Sequence, residues 1–124
     1  MKNTVLLGVL LSLASMSPAN SQEDASGYTT LKGAYRTYSR GIGDPGEPTA
    51  ADTKIMFAID GKAAREMFDA MGKDVKDACT EGSGTRVRTR DQERLWCSRS
   101  KQGVYSCNFG FDLKSGKSIG GIVC

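Results

Sequence analysis

Between positions 86 and 99 the chain carries five arginines, Arg86, Arg88, Arg90, Arg94 and Arg99, with Trp96 among them. A guanidinium offers five donors in a planar fork that matches a carboxylate or phosphate. Trp and Arg are also enriched where interfaces concentrate their binding energy. Arg86, Arg88, Arg90, Arg94 and Trp96 are therefore the candidate partner-binding residues, and the partner they suit is another protein or an anionic surface. The competing reading is a solvated hairpin face whose charge is balanced by Asp91 and Glu93. Trp96 also has a second reading as core, because it neighbours Cys97 and adjacent strand residues point to opposite faces.

The carboxylates with chemistry to offer are Asp60, Asp69, Asp91, Glu93 and Asp112. Each has a local explanation: helix cap, helix surface, turn, turn, and exposed strand face. A glycosidase pair is defined by its separation in space, so spacing along the chain names none. The sequence contains no His. That removes the usual general base near neutral pH and excludes Ser-His-Asp and Cys-His arrangements. No catalytic residue is assigned.

One short stretch imitates a nucleotide site. "LKSGKSIGG" (113–121) contains the Gly-Lys-Ser that ends a phosphate-binding loop. That loop needs a further Gly five positions before Gly116 and a helix after the Ser. Phe111 occupies the first position, and only "IGGIVC" follows Ser118. The stretch reads instead as a hairpin turn at Ser115-Gly116, and no nucleotide or other cofactor is expected. A two-residue turn there sets Phe109 against Ile122 and Cys107 against Cys124, at a separation a disulfide accepts.

Cys79, Cys97, Cys107 and Cys124 make an even set. In an exported protein an even set reads as two disulfides. With Cys107–Cys124 assigned by the hairpin register, Cys79–Cys97 follows by elimination. No C-x-x-C pair is present, so a zinc site and a redox-active pair both fail on spacing.

Export itself is read from the N-terminus. Lys2 precedes an apolar run from Val5 to Met16, followed by Pro18 and the small-residue triplet Ala19-Asn20-Ser21. The triplet counts by its small residues, Ala19 included, and the whole has the order of a signal peptide, with cleavage expected after Ser21. The run is too short to span a bilayer, which takes roughly 20 apolar residues. A periplasmic or secreted location follows. The formal charge of +3 falls by one with the loss of Lys2, too mild an excess to indicate a specific nucleic-acid partner.

Several elements must position these residues. Residues 22–53 form a polar N-terminal arm or linker containing Gly and Pro. Within it, Tyr28, Leu31, Tyr35 and Tyr38 have helical spacing on residues that favour strands. A short helix or an edge strand are the alternatives. Residues 55–59 read as a buried strand. Asp60 can cap the helix that follows, in which Ala64, Met67, Phe68 and Met71 share one face and Gly72 is the expected stop. "TRVRTR" and "RLWCSRS" read as a hairpin. Tyr105, Cys107, Phe109, Phe111 and Leu113 alternate along the next strand, and "KSIGGIVC" supplies the last.

The expected fold is α+β: one short amphipathic helix packed on a small antiparallel sheet, stapled by two disulfides, over residues 54–124. The expected function is a small exported non-catalytic binding protein, such as an inhibitor or partner of an extracytoplasmic hydrolase. The alternative is a His-free hydrolase acting through carboxylates on a polyanion or cell-wall polymer.

Overall fold

The computed structural model describes residue 8 and residues 26–122. The expected signal segment, apart from Gly8, and Cys124 lie outside the described residues. Contacts divide the chain after Thr30, and the fold below is that of the unit beginning at Leu31.

The architecture is α+β, with one helix packed on an antiparallel sheet. The elements in chain order are β1 (Lys32–Tyr38), β2 (Lys54–Asp60), α1 (Gly61–Ala70), β3 (Arg86–Arg90), β4 (Leu95–Arg99), β5 (Tyr105–Asp112) and β6 (Ser118–Ile119). Across the sheet the order is β1-β2-β5-β4-β3, with β6 also paired to β5. The conflicting signals around Tyr35 resolve as an edge strand: β1 runs beside β2 with Tyr35 opposite Phe57. The sheet therefore begins at Lys32, inside the stretch read as an arm.

α1 forms where the apolar spacing places it. Ala64, Phe68 and Met71 are buried against Ile59, Cys97 and Cys107, and Met67 packs on the rim of that core. Lys62–Glu66 and Arg65–Asp69 line the solvent side as i,i+4 pairs. Asp60 occupies the N-cap position, but its side chain makes no capping bond. At the far end Gly72 has φ 88°, the left-handed conformation that lets the chain turn away after Met71.

The disulfide pairing differs from the expectation. Cys97 and Cys107 form the bridge, with Cα atoms 4.1 Å apart, and both are fully buried. This overturns Cys79–Cys97 and Cys107–Cys124. The cause is competition for one edge of β5. Over Tyr105–Asn108 that edge is taken by β4, which sets Cys97 directly opposite Cys107. β6 reaches only Gly110 and Phe111, facing Ile119 and Ser118.

The C-terminal turn is also longer than the two residues expected. The Asp112 amide bonds to the Lys117 carbonyl across a loop of Leu113–Gly116. Asp112 Oδ1 accepts from the Lys114 and Ser115 amides at 2.9 and 3.0 Å, which closes the wider loop and shifts the register by two. Cys79 is not a free thiol.

Candidate functional site

Strand alternation sends Arg86, Arg88 and Arg90 to the same side of the sheet as α1, because Arg88 lies opposite the core residue Cys97. The three converge on the end of the helix. Arg88 Nη1 donates to the Phe68 carbonyl at 2.7 Å, and its Nε donates to Asp74 Oδ1 at 3.0 Å. Its guanidinium lies 4.1 Å from the centre of the Phe68 ring. Arg86 Nε meets Asp74 Oδ2 at 2.8 Å. Arg90 donates to the carbonyls of Met71 and Thr89.

The last carbonyls of a helix have no partner within it, and cations near that end are favourable. The last turn of α1 contains no basic residue of its own. β3 supplies the missing charge from across the fold. Asp74, held by Arg86 first and Arg88 second, has its carboxyl lowered below the ordinary aspartate range. The same contact raises the Arg86 guanidinium.

The other members of the candidate set lie elsewhere. Arg94 pairs with Asp91 at 3.2 Å in the β3–β4 turn. Asp91, Gln92 and Glu93 all have positive φ in that turn. Arg99 sits 5.8 Å from the centre of the Tyr105 ring. Trp96 is half-buried, and alternation puts it on the face away from α1. Arg86, Arg88 and Arg90 are thus brought together, while Arg94 and Trp96 are not brought to the same place.

The carboxylates are dispersed. Asp60 is at the helix start, Asp69 pairs along the helix, Asp91 and Glu93 share the hairpin turn, and Asp112 shapes the last turn. The Ser115 and Lys114 amides, Ser115 foremost, hold the Asp112 carboxyl below its ordinary range. Among the described residues there is no cluster of three metal-ligating side chains, and no helix is long and apolar enough to cross a membrane.

A different feature opens on the α1 side of the sheet. Tyr35 on β1, Phe57 on β2 and Phe109 on β5 are aligned across three strands. The Tyr35 and Phe57 ring centres are 6.5 Å apart, and those of Phe57 and Phe109 are 5.2 Å apart and stacked. Phe111 meets Phe109 edge-on at 6.1 Å.

Together with Leu31, Gly33 and Ile59, these rings line an open groove of about 330 Å³. No charged side chain borders it, and Tyr35 is 71% and Leu31 57% exposed. The groove exists because the helix is short. Ten residues of α1 span about 15 Å, whereas β5 alone, at eight residues, runs about 27 Å. α1 covers the Cys97–Cys107 end; Phe109 packs half-buried at the margin of that core, and Phe111 beyond it is exposed.

In the sequence Tyr35, Phe109 and Phe111 stand out as face-forming residues, but nothing in their spacing joins them into one surface. The helix length set against the strand lengths is the signal that predicts uncovered rings. No family model, no curated protein and no solved structure matches this chain.

Proposed function

We propose that this chain is a small exported protein that acts by binding, without catalysis, and that its contact surface is the aromatic groove on β1, β2 and β5. The observation carrying this reading is the row Tyr35–Phe57–Phe109–Phe111, in ring contact across the sheet, with Tyr35 and Phe111 exposed and Phe57 and Phe109 half-buried between them. Leaving such a row hydrated forgoes roughly 25 cal/mol for each Å² of apolar area that a partner would bury. Contiguous apolar patches of this kind mark interaction sites. An apolar lining with aromatic anchors fits the core of a protein interface. It lacks the converging polar groups that orient a sugar or nucleotide.

The arginine hairpin then takes a supporting part. Arg86, Arg88 and Arg90 direct donors to the end of α1 and to Asp74, which ties β3 to the helix and leaves these groups less available to a partner. The cross-strand disulfide and the expected signal peptide both support an extracytoplasmic location.

The test is a paired capture from the exporting cell's envelope and medium. Wild-type protein and the Tyr35→Asp variant serve as baits, both oxidised. A protein retained stoichiometrically by wild type and lost with Tyr35→Asp supports the reading. The reading fails if nothing is retained while the protein degrades an envelope polymer, with that activity lost on exchange of a single Asp or Glu.

A further inference from the structure

The two edges of the sheet are treated differently. At the β3 edge, Val75 forms a bridge with Val87, its amide donating to the Val87 carbonyl at 2.8 Å. At the β1 edge no described strand lies beyond Lys32–Tyr38. A strand in that position presents a row of backbone donors and acceptors able to pair with another chain. β1 is seven residues long, contains no Pro, and is exposed through its first five.

Its two faces have opposite character. Leu31, Gly33 and Tyr35 border the groove. Lys32 and Arg36 fall on the other face, and neither makes an ion pair within 4 Å among the described residues. Asp60 lies across from Lys32 and offsets it in part, while Met56 lies across from Arg36. One Arg36 nitrogen holds the Gly46 carbonyl at 2.7 Å, and the Arg36 charge also acts on the Asp52 carboxyl, which offsets it in part as Asp60 offsets Lys32.

Gly33 makes a notch between Leu31 and Tyr35. A Cβ there would meet the Ala58 carbonyl oxygen at 2.5 Å, so the position has no room for a side chain of its own. A residue facing Gly33 from a neighbouring strand would project its side chain into that notch, since directly opposed Cβ positions lie about 4.5–5.5 Å apart. Its two neighbours on that strand would point to the other face, one opposite Lys32 and one opposite Ala34, and the residue two beyond the latter would stand opposite Arg36.

We propose that β1 accepts an extended segment of a protein partner as a seventh strand of the sheet, with apolar side chains in the groove over Gly33 and carboxylates beside Lys32 and Arg36. This rests on the groove being the contact surface and adds how the partner is held. Backbone pairing supplies affinity in such complexes, and alternate side-chain pockets supply specificity. Charge argues against a second copy as the occupant. Antiparallel self-pairing centred on Ala34 sets Lys32 against Arg36 of the copy, and centring on Gly33 or Tyr35 puts like charges on the diagonal.

The probe is an end-capped octapeptide of alternating Asp and Val, titrated against the oxidised protein by calorimetry and followed by amide hydrogen exchange. The expected result is saturable binding with slowed exchange in Lys32–Arg36. N-methylation of alternate amides, or Lys in place of Asp, should weaken it at least about tenfold, roughly 1.4 kcal/mol. The Lys32→Glu/Arg36→Glu protein should reverse the preference between the Asp and Lys peptides, with its circular dichroism unchanged.

Absence of binding at millimolar peptide overturns the proposal, as does a concentration-dependent dimer that slows the same amides without peptide. Equal binding of the N-methylated peptide overturns strand addition and leaves the groove reading standing. The groove reading fails separately, if Tyr35→Asp retains the captured partner.

Discussion

Replacing Arg88 with Met tests whether the arginine hairpin is a clasp for the helix. The Arg88 side chain is only 14% exposed and serves three partners. Its bond to the Phe68 carbonyl at 2.7 Å is charge-assisted and contributes about 1.5–3 kcal/mol. Its position 4.1 Å over the Phe68 ring adds about 0.5–2 kcal/mol. The contact with Asp74 counts for a few tenths at most, because Asp74 is 40% exposed and keeps Arg86. Met preserves much of the apolar stem, so the loss isolates the head group.

The expected destabilisation is about 2–4 kcal/mol. For a domain of this size that lowers Tm by at least about 8 °C, at roughly 4–8 °C per kcal/mol. Thermal and urea unfolding of the oxidised protein, followed by Trp96 fluorescence and circular dichroism, read it directly. Arg94→Met is the control. Its pair with Asp91 sits in an exposed turn, so its cost should stay within about 0.5 kcal/mol. Equal, small losses in both variants would refute the clasp and return the hairpin arginines to the pool of free binding groups.

Four further outcomes are expected. The Asp74 carboxyl is lowered in the folded state, so the folded protein binds fewer protons in the range just below the ordinary aspartate value. Its contribution is therefore complete above about pH 4 and lost as pH falls through the lowered value. The stability difference between wild type and Asp74→Asn should be constant at neutral pH and vanish in acid, as read by urea unfolding across pH. Non-reducing peptide mapping should recover Cys97–Cys107 and leave Cys79 to pair with Cys124. The Cys97→Ser/Cys107→Ser protein should lose about 3 kcal/mol from the closed loop alone. Tyr35→Asp should cost no more than about 1 kcal/mol in stability, since Tyr35 is 71% exposed and gives up only its cross-strand pair with Phe57.

Local periodicity was enough for the elements whose burial is one-sided. The spacing of Ala64, Phe68 and Met71 and the alternation from Tyr105 to Phe111 both correspond to real elements. β1 was ambiguous because a weakly apolar edge strand is decided by its neighbour, here the pairing of Tyr35 with Phe57. The cysteine pairing departs from the local hairpin register for two reasons. The Asp112 side chain builds a wider loop than Ser115-Gly116 suggests, and β4 competes for the same edge of β5.

The arginines show the same limit. Alternation put Arg86, Arg88 and Arg90 on one face, but nothing local indicates that the carbonyls of Phe68 and Met71 lie beneath it. The groove is likewise a relation between elements, set by the reach of α1 against the length of β5.

Amide hydrogen exchange of the oxidised protein, alone and saturated with the partner it captures, tests the central claim most directly. Slowed exchange at Leu31–Tyr35, Phe57 and Phe109–Phe111, with the β3–β4 hairpin unchanged, is the predicted footprint. Protection concentrated on Arg86–Trp96, with the aromatic row unaffected, would contradict it.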